Sequence, residues 1–320
     1  MIEWLLIPAV IVGVSLIPRK RMSDEMKIQQ VFENRNIYIK RGDNFTYPQL
    51  IRKYKNTACT TLLYNLPLGV ESESITKLPI NEALNKEIEI EFDEGLLKIS
   101  VFNQSLPDSW NYDDTLLRSD VWEIPVGKNH KGILYHDFEK YPHMLVGGVT
   151  RFGKTVFIKE AFYTLLMDQI DNVEFYFLDL KGGLEFGKYL PLPQVKAVAR
   201  DVFEAAEVLS NIVDDLKKRE KMFRAKGYTN IVDTPIRKRT FVIVDEGAEL
   251  SPNIIAGEGK KYAKFCQAAL SEISRIGGGL GLRLIYCTQY PTKEAVPMQV
   301  KMNIVARISF IAAAQIASMV

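Results

Sequence analysis

Three short stretches carry residue types that can do phosphate chemistry. The first, Gly148-Val149-Thr150-Arg151-Phe152-Gly153-Lys154-Thr155, is a full match to G-x-x-x-x-G-K-[ST]. Its glycines let backbone N–H groups turn inward around phosphates, Lys154 supplies a point charge to the β- and γ-phosphates, and Thr155 offers a hydroxyl to Mg²⁺. An apolar strand leads in and an apolar-periodic helix leads out, so the helix N-terminus adds its partial positive charge. The second stretch, Thr240-Phe-Val-Ile-Val-Asp245-Glu246, is an apolar strand ending in paired acids. There Asp245 would hold Mg²⁺ through water while Glu246 polarises an attacking water as base, which implies hydrolysis of a bound nucleoside triphosphate as well as binding. The third is Thr288-Gln289, at the end of another apolar strand, where the Gln289 amide is placed to sense the γ-phosphate.

Positioning such groups needs a rigid frame. After Val121 apolar strands alternate with helical stretches, the signature of a mostly parallel sheet wrapped by crossover helices. Strands are expected at 143–146, 173–178, 194–199, 240–245, 283–287 and 304–311, and helices at 154–169, 201–225 and 260–275. Residues 22–120 read as a small α/β module without a catalytic signature. The alternation in Lys86–Phe92, the turn Asp93-Glu94-Gly95 and the run Leu96–Phe102 form a hairpin signal. Thr60–Tyr64 is a further strand and Ser72–Leu84 an amphipathic helix. The polar stretch Asn103–Asp120 has a connector's composition, which sets the domain boundary near 120.

The 320 residues, 47% of them hydrophobic, supply two domains with buried cores and exclude a disordered or fibrous chain. Lysines and arginines exceed acids only by 41 to 39, so any polyanion site must be local. Cys59, Cys266 and Cys287 are odd in number and far apart, and His130, His136 and His143 lack metal-binding spacing; neither a disulfide framework nor a zinc site is indicated.

Residues 4–17 are uncharged and almost wholly apolar, followed by Pro18 and Arg19-Lys20-Arg21. A helix from Met1 to Pro18 would reach ~27 Å, close to the hydrocarbon core of a bilayer. A cleaved signal would carry its basic cluster first; here it follows. The reading is therefore a single-pass anchor over 1–21 in the cell membrane, with the rest of the chain in the cytoplasm; the alternative is a core helix or an interfacial hairpin of a soluble protein.

The three phosphate-chemistry stretches, with Phe177-Leu-Asp179-Leu-Lys181-Gly-Gly-Leu-Glu185 between the first two, resemble the FtsK/SpoIIIE family of double-stranded DNA translocases. The likeness continues through Asp214–Gly227 and Leu282–Gln289 to Lys301–Ile308, about Trp122 to Val320. It implies a RecA-like P-loop NTPase motor over 121–320, assembled as a hexameric ring around duplex DNA, each ATP site completed by the neighbouring subunit. With one anchor ahead of a small module, the chain looks like the coupling proteins of conjugative elements and plasmids of Gram-positive bacteria. That role implies relaxase and transfer-channel proteins as partners. The chain departs from the family pattern at Gly277-Gly-Gly-Leu-Gly281 and at Tyr290 in Thr288-Gln289-Tyr290-Pro291. Arg307 and Arg275 are the candidates for a finger acting in trans, and either is alternatively an ordinary surface arginine. The chain ends at a helix start, where the family motor continues, so the motor is expected to be C-terminally incomplete.

Lys217, Lys218, Arg219, Lys221, Arg224 and Lys226, the triplet Arg237-Lys238-Arg239, and Gly257–Lys261 are candidate contacts to duplex phosphates, and equally solvated faces. Other readings are a chromosome or plasmid segregation translocase, a P-loop kinase in which Glu246 is incidental, and a non-hydrolysing nucleotide-dependent adaptor.

Overall fold

In the computed structural model, residues 22–93, 95–107, 109–149, 152–289 and 296–310 are described. They fall into two units, divided between Ser109 and Trp110. The anchor expected at 1–21, the loop residues Thr150 and Arg151, Tyr290, Pro291 and the final ten residues lie outside the described set. No helix among the described residues is long and apolar enough to cross a membrane.

The first unit opens with α1 (Asp24–Asn34), capped by the Ser23 hydroxyl accepting from Met26 N–H. A small hairpin of β1 (Ile39–Arg41) and β2 (Asn44–Thr46) follows. A four-stranded antiparallel sheet then forms from β3 (Gln49–Lys55), β4 (Cys59–Asn65), β5 (Ile88–Asp93) and β6 (Leu96–Phe102), in the order β3-β4-β6-β5. Leu62, Tyr64, Leu97, Ile99 and Val101 alternate onto one face, where they bury Ile28 and Phe32 of α1. The single helix expected at Ser72–Leu84 is two short ones, α2 (Ser72–Thr76) and α3 (Ile80–Leu84). Pro79 breaks it, because proline has no N–H to donate and disfavours helical backbone in the residue before it.

The second unit begins earlier than the composition suggested. Tyr112 hydroxyl bonds Thr164 at 2.9 Å and Leu116 is buried, so residues 110–120 pack with this unit. The antiparallel pair β7 (Glu123–Asn129) and β8 (Gly132–Asp137) leads into the main sheet. Its strands are β9 (His143–Gly147), β10 (Val173–Leu178), β11 (Val195–Ala199), β12 (Arg239–Val244), β13 (Leu282–Thr288) and β14 (Ala306–Ser309). All neighbours are parallel, in the order β11-β10-β12-β13-β9-β14. The connecting helices are α4 (Lys154–Asp168), α5 (Val202–Lys226), α6 (Gly259–Glu272) and α7 (Met298–Asn303).

The central strands β9, β12 and β13 are buried on both faces and are near-continuous apolar runs. Phe241, Ile243, Phe175, Phe177 and Ile285 face Phe157, Ile158, Phe162 and Leu165 of α4. Val242, Val244, Leu282, Leu284 and Tyr286 face Leu209, Ile212, Leu216 and Leu270 of α5 and α6. At the N-terminal end of the sheet Arg239 and Arg283 meet one carboxylate, Glu139, with Arg239 Nη2–Oε2 at 2.8 Å and Arg283 Nη2–Oε1 at 2.7 Å. Burial pushes the Glu139 carboxyl up, but the two guanidiniums outweigh it and hold the group below the usual carboxylate range.

Candidate nucleotide-hydrolysis site

The C-terminal ends of β9, β12 and β13 lie side by side; β9 runs into the glycine loop, β12 into Asp245-Glu246 and β13 into Thr288-Gln289. Where β9 stops, Gly148 has φ +157° and a Cβ there would stand 2.7 Å from the Cβ of Phe310. Gly153, at φ +98°, precedes α4 in the left-handed region that glycine adopts without strain. No side chain caps α4 among the described residues, and its first turn holds no acid. Its leading N–H groups are therefore open to an anion. Lys154 is the first residue of α4 and is 5% exposed, its Nζ 3.2 Å from Glu246 Oε2. Thr155 follows, half-buried; Val149 is half-buried and Phe152 exposed.

Asp245 and Glu246 follow β12, 1% and 3% exposed. Glu246 is held on both oxygens: Oε2 accepts from Lys154, and Oε1 accepts from the Thr288 hydroxyl at 3.1 Å and Gln289 N–H at 3.0 Å. Asp245 is different. Both of its buried oxygens lack a hydrogen-bond partner among the described residues, and Lys181 Nζ stands 3.6 Å from Oδ2 and 3.7 Å from Glu246 Oε2. Burial pushes the Asp245 carboxyl up, while Lys181 and Lys154 pull it down. A buried carboxylate with unmet acceptors suits a hydrated divalent cation, and the uncapped α4 terminus with Lys154 suits phosphate, so the residues present fit a Mg²⁺–nucleotide pair.

Strand order explains the clustering. Because β13 lies between β9 and β12, Thr288 and Gln289 stand between the phosphate loop and the acids. Gly148 N–H also donates to Thr288 O at 3.3 Å, which ties loop to strand. Behind the acids, a Cβ on Gly247 would stand 2.1 Å from the Tyr286 ring, so only glycine lets the chain turn there.

Lys154, Asp245, Glu246 and Gln289 thus meet, with Gly148, Gly153 and Thr155 beside them. Gln289 enters through its backbone N–H on Glu246. Arg275 and Arg307 do not join this cluster. Arg275 is exposed on the π-turn 273–277, which precedes β13 at the opposite end of the sheet. Arg307 is exposed on the edge strand β14, level with Leu145 of β9, and its Nη2 donates to Lys301 O at 3.0 Å. Sequence reasoning gave no role to Thr288, Lys181 or Asp179. Asp179 Oδ2 accepts from Glu185 and Phe186 N–H, both at 2.8 Å, and so shapes the loop that carries Lys181. The available signal was position: Asp179-Leu-Lys181 follows apolar β10 at the same sheet edge as Asp245.

Two of the basic candidates are withdrawn as phosphate contacts. Arg239 is buried against Glu139, and Arg219 is turned into the fold toward Asp215, Leu280 O and Thr240. Lys238 pairs with Glu174 at 2.8 Å. Lys217, Lys218, Lys221, Arg224, Lys226, Lys260 and Lys261 are exposed, with Lys217 and Arg224 bridged to Asp214 and Glu220.

The FtsK/SpoIIIE family model matches residues 111–240. The DNA translocase FtsK of Streptococcus pneumoniae is 27% identical over 272 residues, 76% of this chain and 34% of the relative. The FtsK of Lactococcus lactis subsp. cremoris is 27% identical over 210 residues, 60% of this chain and 27% of the relative. The chain thus spans 27–34% of the length of these relatives. Among solved structures, the pCW3 conjugation coupling protein TcpA, a monomer form with ATPγS, superposes at TM-score 0.64 with 23% identity, covering 93% of this chain and 86% of that one. The cytoplasmic domain of the Thermomonospora curvata type VII secretion ATPase EccC gives TM-score 0.52 and 21% identity over 66% of this chain and 27% of its own. Those two likenesses show the fold, an α/β ATPase fold built on a parallel sheet. The family model match lies wholly within the second unit, which is thus the part of the chain similar to the FtsK/SpoIIIE family.

Proposed function

We propose that the chain is an ATP-driven double-stranded DNA translocase of the FtsK/SpoIIIE type, acting as a conjugative coupling protein that pumps DNA toward a membrane channel. In this reading residues 1–21 anchor it in the cell membrane, the motor works in the cytoplasm as a hexameric ring, and a relaxase and channel proteins are its partners. The carrying observation is the buried set in which Glu246 is gripped by Lys154, Thr288 and Gln289 while Asp245 lies beside it with unmet acceptors.

The chemistry follows from that arrangement. The phosphates of ATP bind at the N-terminus of α4, and Lys154 exchanges its contact with Glu246 for phosphate oxygens. Glu246, still held by Thr288 and Gln289, then orients water for in-line attack on the γ-phosphate and takes its proton. Thr155 and, through water, Asp245 would hold Mg²⁺, which would supply charge neutralisation at the phosphates. The Glu246 carboxylate is joined to β13 and, through Gly148, to the phosphate loop, so loss of the γ-phosphate is felt by three strand ends at once. That coupling suits a motor more than a kinase, in which tying γ-phosphate loss to several strand ends would serve no purpose.

The resemblance to a conjugation coupling protein spans both units and favours DNA transfer over segregation. A triplex-displacement assay tests the reading. Full-length protein with ATP and linear duplex should strip a bound third strand, and Glu246→Gln should not. No displacement by the wild-type chain, with nucleotide binding intact, would leave the adaptor reading in its place.

A further inference from the structure

The sheet of the first unit ends on one side with β3 and on the other with β5, and among the described residues each pairs on one side only. The two edges carry opposite charge. Gln49-Leu-Ile-Arg52-Lys53-Tyr54-Lys55 has three cations and no acid, and Ile88-Glu89-Ile90-Glu91-Phe92-Asp93 has three acids and no cation. All of β3 is exposed, including Leu50, Ile51 and Tyr54 at 41%, 53% and 49%. On β5, Phe92 is 37% exposed and Asp93 is exposed.

We propose that these edges bind each other between copies of the chain, β3 of one copy lying antiparallel to β5 of the next. The inference rests on the ring assembly proposed above and supplies a contact for it. Direction comes first: β3 is antiparallel to β4, β4 to β6 and β6 to β5, so β3 and β5 run oppositely. A sheet continued from β5 of one copy into β3 of the next stays antiparallel, with its helix-bearing face on the same side.

Side chains agree with that continuation. Arg52 and Tyr54 pair in register with Leu63 and Thr61, while Glu89, Glu91 and Asp93 pair with Ser100, Lys98 and Leu96, all on the face away from the helices. Arg52 would therefore stand among the acids of the neighbouring edge. On the other face the stems of Lys53 and Lys55 would lie along Ile88, Ile90 and Phe92.

Charged residues, lysine above all, usually blunt an edge strand against pairing. Here they do so selectively. Two β3 edges repel each other, as do two β5 edges, and only the mixed pair is attractive. A contact between different edges is head-to-tail, the kind that closes into a ring when its rotation permits.

The test uses the full chain in mild detergent with ATPγS and Mg²⁺, followed by sedimentation velocity. Arg52→Glu with Lys55→Glu reverses one edge and spares the Lys53–Glu25 ion pair; Glu89→Lys with Asp93→Lys reverses the other and spares Lys98–Glu91. Each double variant alone should need a concentration about tenfold or more higher to assemble. An equimolar mixture should recover assembly, because each reversed edge then meets an opposite one. Far-UV circular dichroism and binding of a fluorescent ATP analogue confirm intact units. Wild-type-like assembly of both variants, or a mixture that fails to recover while both are folded, overturns the proposal and leaves the ATPase reading standing. A wild-type chain that stays monomeric overturns this contact and the ring together, and ATP hydrolysis by that monomer then decides whether the site reading survives.

Discussion

Two adjacent carboxylates with different environments divide the work at the residue scale. Glu246 has every oxygen occupied and is positioned; Asp245 is buried beside it with acceptors unmet. Burial raises the Asp245 carboxyl above its unfolded range, so its contribution to stability is present at low pH and is lost as pH rises through the raised value. At neutral pH the nucleotide-free fold carries that cost. Asp245→Asn should therefore raise the melting temperature by a few degrees without ligand, roughly what 1 kcal/mol gives a domain of this size. The same variant should lose the further rise that Mg²⁺ with ATPγS gives the wild-type protein. Thermal melts with and without ligand check both; a lower melting point for the free variant would contradict the assignment of Asp245 as a site where burial outweighs the pull of Lys181 and Lys154.

At the element scale, stability and legibility part company. The parallel strands and their helices were readable because apolar runs buried on both faces alternate with 3.6-residue periodicity, and the phosphate loop marked which strand came first. The lateral order was not readable, since nothing local in Leu282–Thr288 says that it lies between β9 and β12. That order makes Thr288 a ligand of Glu246. Arg239 likewise read as one of a surface triplet until Glu139, distant in sequence, was seen between it and Arg283. Glu139→Gln removes the shared carboxylate and leaves two guanidiniums uncompensated, with Arg283 1% exposed; a loss of about 3–5 kcal/mol is expected in urea unfolding. A loss below ~1 kcal/mol would mean that the cluster is solvated in practice.

His143, at the start of β9, gives a pH signature for the same sheet. Leu284 N–H donates to its Nδ1 at 3.0 Å, and burial, with Arg283 nearby, holds its pKa down at about 3 against an ordinary 6.5. The unfolded chain takes up a proton first, so this contribution is complete above pH 6.5 and is lost as pH falls toward 3. Unfolding free energy should fall by up to ~1.4 kcal/mol per pH unit in that window. His143→Gln should flatten the slope, and a wild-type protein equally stable at pH 4 and pH 7 would contradict the burial argument.

For the whole molecule, the two candidate fingers stand outside the cluster that each chain builds for itself, where an arginine acting on a neighbour's nucleotide has to be. Arg307 on the exposed edge strand is the stronger of the two, since it is a sheet edge away from the phosphate loop, whereas Arg275 sits at the far end of the strands. Arg307→Ala should bind ATP as the wild type does and lose on the order of 10³-fold in duplex-stimulated hydrolysis, measured by phosphate release. An unchanged rate would return Arg307 to the surface.

The central claim is that hydrolysis at Glu246 is coupled to duplex DNA. The most direct measurement is steady-state phosphate release by the purified full-length chain, with and without linear plasmid, beside Glu246→Gln. The account predicts a rate that rises several-fold with duplex, and a variant that binds ATP but hydrolyses it ~10²–10⁴-fold more slowly under both conditions. Hydrolysis that ignores duplex at concentrations where assemblies form, or that survives in Glu246→Gln, would contradict it.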